Sequence, residues 1–243
     1  MLVLEHLAWE LPDGEPILKD ISLTVPNGKL AVVTGPNGGG KTSLAKLIAG
    51  LEKPSAGRIL LNGKEITELD ITQRAKAGIA YAFQQPVRFK GLSVRDLLEL
   101  AAGGSLSEQE LCVILGQVGL CAQDYADRQV DGSLSGGESK RIEIATVLAR
   151  KDAALLIFDE PEAGIDLWSF SGLIDVFQRI KRTKQGSALI ISHQERILQI
   201  ADEIIVIADG EVRSAGPREE ILPTLLENEK AGQCPLEGGP LYE

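Results

Sequence analysis

Cysteine is scarce in this chain: three in 243 residues, at Cys112, Cys121 and Cys234. The number is odd and no C-x-x-C pair occurs, so the signature of a disulfide framework is missing and no spacing favours a metal or cluster. These read as unpaired thiols of a cytosolic protein. Long apolar runs are also missing. None reaches the roughly 18 residues of a membrane span, which argues against direct membrane insertion. The N-terminus, MLVLEHLAWE, lacks the charged region, apolar core and cleavage site of a signal peptide. The expected location is therefore the cytoplasm, with any membrane link made through a partner. Positive charge is in deficit too: 25 Lys and Arg face 35 Asp and Glu, a net charge of -10. That balance argues against nucleic acid or an anionic membrane surface, since both call for basic patches. No internal repeat is present. A chain of this size is one large α/β domain or one domain with an inserted subdomain.

What is present begins at Thr34–Ser43, TGPNGGGKTS. It fits the phosphate-binding pattern G-x-x-x-x-G-K-[ST] at Gly35, Gly40, Lys41 and Thr42. Gly38, Gly39 and Gly40 lack Cβ atoms, so the backbone can come close to a phosphate and point successive N–H groups into one concavity. The helix expected from Lys41 to Leu51 adds the positive end of its dipole. Lys41 supplies a point charge, and the Thr42 hydroxyl can ligate the Mg²⁺ that travels with the phosphates. The candidate nucleotide-binding set is Gly35, Pro36, Asn37, Gly38, Gly39, Gly40, Lys41, Thr42 and Ser43. A glycine-rich turn that touches nothing is the bland alternative. Against it, the apolar run Leu30–Val33 enters the loop as a buried strand, and Leu44, Ala45, Leu47 and Ile48 leave it at helical spacing.

Strands are expected at Leu2–Leu7, Ile21–Val25, Ile59–Leu61 and Gly78–Phe83, with a turn at Asn62-Gly63. From Pro86 to about Asp131 the strand pattern disappears. Val94–Ala102 and Glu108–Val118 have helical spacing, the second with Ser107 as N-cap. This stretch reads as a helical subdomain inserted into an α/β core. Strand and helix then alternate: helix Gly137–Arg150, strand Ala153–Phe158, helix Leu167–Lys181, strand Ser187–Ile191, helix Gln194–Ile200, strand Glu203–Ile207. A turn at Asp209-Gly210 leads to Glu211–Arg213, and a last helix covers Pro217–Asn228. The Gly- and Pro-rich tail from Glu229 to Glu243 reads as loosely ordered. The alternation implies a mostly parallel sheet flanked by helices.

Two further stretches carry chemistry. Leu155-Leu156-Ile157-Phe158 is an apolar strand ending in Asp159-Glu160. Beside a phosphate-loop strand, its carboxyl end would deliver both acids to the nucleotide. Asp159 would hold Mg²⁺, mainly through a water, and Glu160 would orient or deprotonate the attacking water. The second stretch is Ser135-Gly136-Gly137-Glu138, inside LSGGESKR, which opens a helix and so offers a second anion site. In isolation it is an ordinary helix cap.

Phosphate loop, LSGGE and a strand ending Asp-Glu, in that order, resemble the ATP-binding-cassette (ABC) ATPase family. The likeness runs to about Gly216. On the same likeness Gln84 is similar to the family's Q-loop glutamine, which senses Mg²⁺ and the attacking water. Ala163-Gly164-Ile165-Asp166 resembles the D-loop, and His193 the switch histidine on the γ-phosphate. The resemblance implies an ATP-hydrolysing subunit with Glu160, His193, Gln84 and Lys41 as catalytic residues and Thr42, Gln84 and Asp159 at the metal. It implies an α/β fold: a P-loop NTPase core with a mostly parallel sheet, an antiparallel β subdomain and an inserted helical subdomain. The whole of 1–243 would be one domain, with core 1–85 and 135–228, insertion 86–134 and tail 229–243. Two copies would pack head to tail into a homodimer on ATP. Each ATP would then lie between the phosphate loop of one copy and Ser135, Gly136, Gly137 and Glu138 of the other, with Asp166 nearby. The family's adenine-stacking aromatic is absent: Leu11 holds its position, and either Trp9, two residues earlier, replaces it or stacking is weak.

Within the family, Phe83–Val87, Gly91, Ser93, Glu138–Arg141, Glu143, Glu162, Gln194 and Arg196 resemble SufC, the ATPase of the Suf iron–sulfur assembly system. Pro161 and Leu134 are similar to the transporter branch instead. On balance the resemblance favours a SufC-like role in iron–sulfur cluster assembly, with the ATP-binding subunit of a membrane ABC transporter as the alternative. The partner implied is a SufB/SufD-like scaffold or a transmembrane permease, docking near residues 84–100.

Overall fold

The computed structural model describes residues 1–165, 167–183 and 186–230. The first half carries β1 (Leu2–Glu10), β2 (Pro16–Val25), β3 (Leu30–Thr34), α1 (Lys41–Ala49), β4 (Ala56–Leu61), β5 (Lys64–Glu65), α2 (Ile71–Lys76) and β6 (Ile79–Ala82). The region without strand pattern holds α3 (Val94–Ala102), α4 (Glu108–Gln117) and the short α5 (Ala122–Tyr125). Then come α6 (Gly136–Ala149), β7 (Leu155–Asp159), α7 (Leu167–Thr183), β8 (Ser187–Ile191), α8 (Glu195–Leu198), β9 (Glu203–Ala208), β10 (Glu211–Pro217) and α9 (Arg218–Lys230).

The strands join in the order β5-β4-β1-β2-β10-β9-β3-β8-β7-β6. From β9 to β6 every pairing is parallel, while β1, β2, β4 and β5 pair antiparallel. The two regions meet through β10, which pairs with β2 at Glu211 and Asp20. Alternate residues of β3 serve two cores. Leu30 and Val32 pack with β7, α6 and α7 on one side; Ala31 and Val33 pack with α1 and the antiparallel strands on the other. A strand buried on both faces reads as continuous apolar sequence, as β3, β7 and β8 do. The helices α3 and α4 have no core of their own: Leu98, Leu111 and Leu115 belong to the cluster that contains Leu156 and Phe158.

Some expectations need correction. The strand ending in Asp159 does not lie beside the phosphate-loop strand, because β8 sits between β3 and β7. Strand β2 begins at Pro16, not Ile21. Leu18 and Ile21 are both fully buried although three residues apart, and the register against β1 shifts there. This bulge breaks the two-residue period that marks a strand. The last helix runs on through Glu229 and Lys230, so the ordered chain extends past the expected boundary. Residues 231–243, with Cys234, lie outside the described residues.

One buried cation braces the end of α1. Arg74 is 1% exposed. Its guanidinium donates to the carbonyl oxygens of Leu47, of Ile48 at 3.1 Å, of Thr67 at 2.6 Å and of Leu69 at 2.9 Å. Two of these are carbonyls of the last turn of α1, which no residue of the helix itself can satisfy. A positive group there also suits the helix dipole. Burial pulls the Arg74 pKa down and the charge of Glu68 pulls it back. Arg74→Leu should cost about 3 kcal/mol of stability, since several carbonyls lose a charged donor at once. Urea unfolding should show a lower midpoint with an unchanged slope.

Candidate nucleotide-binding site

The phosphate loop joins β3 to α1 as the sequence predicts. Gly35 has φ +134°, and a Cβ there would lie 2.0 Å from the Ile207 carbonyl oxygen, so only glycine fits against β9. Gly38 has φ +79° with open space around it; there only the backbone conformation calls for glycine. The Lys41 side chain is buried and folds back over the loop, donating from Nζ to the carbonyl oxygens of Gly35 at 2.8 Å and Pro36 at 2.7 Å. Burial lowers its pKa, while the charges of Glu160 and then Asp159 oppose that shift.

Parallel register brings the other groups to the same edge. Asp159 pairs with Ile191 across β7 and β8, and Ile191 pairs with Val33 across β8 and β3. The carboxyl ends of the three strands are therefore flush. Asp159 spans the width of β8 to accept from the Thr42 hydroxyl at 3.1 Å. Its other oxygen accepts from the Tyr81 hydroxyl at 3.0 Å. Burial raises the Asp159 pKa, and the hydrogen bonds from Tyr81 and Thr42 partly counter it. Glu160 has φ +45°, a left-handed conformation that costs a non-glycine residue on the order of 1 kcal/mol or more. Its N–H donates to the Ile191 carbonyl at 3.0 Å, and its Oε2 accepts from Gln84 Nε2 at 2.6 Å.

Lys41, Thr42, Ser43, Asn37, Gly38, Gly40, Gln84, Glu160 and His193 line one open cleft of about 530 Å³, with Ile17 as its apolar wall. Trp9 is not on this wall; it is half-buried against the core of the antiparallel strands. Ile17, on the cleft, and Tyr81, bonded to Asp159, are candidate site positions that the motifs did not mark. The alternation in Ile79–Ala82 could have found Tyr81, because it puts Tyr81 on the α1 side of the sheet. The oxygens of Thr42, Asp159 and the Gln84 amide are hard donors of the kind Mg²⁺ takes. Among the described residues no cluster of three His, Cys, Asp or Glu could hold a metal. A cation here would be shared with nucleotide phosphates, not held by a protein cage.

The family model described as "ABC transporter" matches residues 18–163. An uncharacterized ABC transporter ATP-binding protein of Methanocaldococcus jannaschii is 39% identical over 84% of each chain. This chain belongs to the ABC transporter family. It is an ABC-type ATPase that binds nucleotide. Among solved structures, an ATP-binding cassette captured as a dimer with ADP and phosphate superposes with TM-score 0.81 at 23% identity, covering 90% of this chain and 99% of that one. The cbiO1 protein of Clostridium perfringens, part of the cbiONQ ABC transporter complex, gives TM-score 0.76 at 28% identity over 95% and 94%.

In this ABC ATPase the LSGGE stretch is not on the phosphate-loop cleft of its own chain. Ser135 caps α6 through a reciprocal pair: its Oγ accepts the Glu138 N–H at 3.2 Å, and its N–H donates to Glu138 Oε2 at 2.8 Å. Glu138 also accepts from the Tyr125 hydroxyl and from Arg128 at 3.3 Å. The Tyr125 and Ser135 hydrogen bonds push its pKa down to about 2. The carboxylate is thus occupied within its own chain, and the exposed Ser135 and Gly136 form the free surface of the helix tip. Gly137 lies against Gly164 of the D-loop stretch; Asp166 lies outside the described residues. Gly35→Ala should cost at least about 3 kcal/mol, because a strained φ combines with a backbone clash. Gly38→Ala should cost only about 1–2 kcal/mol. Chemical denaturation of the two variants checks the difference.

Proposed function

We propose that this ATPase closes on Mg·ATP as a head-to-tail homodimer and drives a transmembrane permease docked beside Gln84. The observation that carries the reading is the 2.6 Å bond from Gln84 to Glu160, made by the segment that also walls an exposed apolar groove. The groove, about 320 Å³, is lined by Phe83, Val87, Phe89, Leu97 and Leu100 among others. Leu100 is 67% exposed, and Val87 and Phe89 are exposed as well. Contiguous apolar surface of this kind suits a protein partner. Its place on residues 83–100 gives that partner a direct line to the catalytic pair. The likeness to a subunit of a transporter complex and the naming of the archaeal relative favour a permease. No helix among the described residues is long and apolar enough to cross a membrane, so the membrane part would be the partner's.

In this reading Lys41 and the loop N–H groups hold the β- and γ-phosphates. Thr42, Asp159 and Gln84 would hold Mg²⁺, which would supply neutralisation of phosphate charge. Glu160 takes the proton of the attacking water, Gln84 keeps its carboxylate aimed, and His193 contacts the γ-phosphate from the end of β8. The exposed Ser135–Gly136 tip caps the nucleotide of the second copy, with Glu138 fixing the tip rather than touching phosphate. The dimeric cassette of similar fold supports this arrangement.

A second reading, a SufC-like subunit acting on a soluble SufB/SufD-like scaffold, draws on local contacts of the residues that set it apart. Glu162 accepts from the Ser192 hydroxyl at 2.5 Å, and Ser192 Oγ accepts the Gln194 N–H at 3.0 Å. Arg196 stacks on Phe170 at 5.6 Å. Purification with the chain encoded next door decides between them: a multi-span protein recovered in detergent supports the permease, a soluble scaffold the second reading. Phe89→Asp should abolish either association. Lys41→Ala should lose ATP binding. Glu160→Gln should bind Mg·ATP, hydrolyse it at least about a hundredfold more slowly and run as a dimer in gel filtration. A monomer under those conditions would overturn the head-to-tail arrangement.

A further inference from the structure

Two charged residues of α6, Lys140 within the LSGGESKR stretch and Glu143 just after it, pack behind the active site, and neither has been given a role in the chemistry. Lys140 is 0% exposed, a rare setting for an ammonium group. Its Nζ donates to the Phe83 carbonyl and, at 3.2 Å, to the Gln84 carbonyl, and lies 3.3 Å from Glu143 Oε2. Glu143, one turn along, accepts the Phe83 N–H at 2.8 Å. The pair therefore takes up both backbone polar groups of Phe83 and the carbonyl of Gln84. These residues follow directly on β6, where no further sheet pairing constrains them. Gln84 then reaches Glu160 at 2.6 Å. The α6 side chains thus hold the Gln84 backbone, the Gln84 side chain carries that placement to Glu160, and α6 itself starts at the exposed Ser135 tip.

We propose that Lys140 and Glu143 are positioning residues for ATP hydrolysis, fixing the Gln84 backbone so that its amide meets Glu160. A buried ion pair is a poor source of net stability, since desolvation offsets the attraction. It does impose one geometry, because Lys140 keeps its carbonyl acceptors and Glu143 its N–H donor only while the Phe83–Gln84 backbone lies against them. A helix is a stiff lever, so a shift of its tip on meeting phosphate would be felt at Gln84 through the same contacts. The inference rests on the ATPase assignment. The contacts themselves lie within one chain and involve no docked partner.

The test is steady-state ATPase kinetics of Lys140→Met, Lys140→Arg and Glu143→Gln, each alone and combined with Gln84→Ala, alongside their melting temperatures. Lys140→Met should lower kcat about tenfold while KM moves less than about twofold, as misplacement of a catalytic group predicts. Lys140→Arg should restore most of the rate. In the Gln84→Ala background neither loss should recur, because the target of the positioning is gone. Should Lys140→Met fail to fold, Glu143→Gln carries the test: it keeps the acceptor for the Phe83 N–H and removes only the charge. The proposal is overturned by an unchanged kcat in a folded variant or by losses additive with Gln84→Ala. Rates that simply track melting temperature without rescue by arginine would also overturn it. A parent chain without ATP turnover would instead overturn the ATPase assignment.

Discussion

The parallel register of β3, β8 and β7 is the constraint on which the site depends. Val33 stands level with Ile191, and Ile191 with Asp159, so the phosphate loop, His193 and the Asp-Glu pair all leave the sheet at one edge. Crevices beyond the carboxyl ends of parallel strands are where such sheets bind ligands. Each of these strands is buried on both faces, with alternate side chains committed to two different cores. A slip of one residue would exchange the faces and move every catalytic group by a strand position. Apolar packing thus sets the geometry of a polar site, at no cost in flexible side chains.

Charge is arranged against the overall balance of the molecule. A chain with net charge -10 sets Glu160 on the cleft and Asp159 against Thr42 beside it, where an anionic nucleotide is expected. Burial raises the pKa of Asp159 and of Glu162, the direction expected where carboxylates lack enough positive charge nearby. In the proposed reading Lys41 and the loop N–H groups answer the phosphates, and a divalent cation on Thr42 and Asp159 would answer the acids.

Much of the fold was legible because its signals are local. The strand–loop–helix around Lys41, the capped starts of α3 and α4 and the apolar runs of β3, β7 and β8 each lie within ten or so residues. Where a bulge broke the period, as between Leu18 and Ile21, the start of β2 was misplaced. Strand neighbours were not legible: β7 was expected beside β3, and β8 intervenes because sheet order depends on crossovers that no short window contains. The SufC-like details at Glu138 and Glu162 each have partners in the fold, yet a local likeness carries less than a match over 84% of the chain to an ABC transporter ATP-binding protein.

The order of motifs along the chain determined by itself that triphosphate chemistry happens here and which residue types carry it, since glycine at tight turns, lysine for phosphate and acids at strand ends are demands of local geometry. Only the folded molecule decided how those groups are held. Tyr81 on Asp159, Gln84 on Glu160, Tyr125 on Glu138 and Lys140 on the Phe83 and Gln84 carbonyls join residues mostly far apart in sequence. A hydrogen bond depends on distance and angle in space. No spacing along the chain encodes that once sheet pairing and helix packing have brought remote segments together.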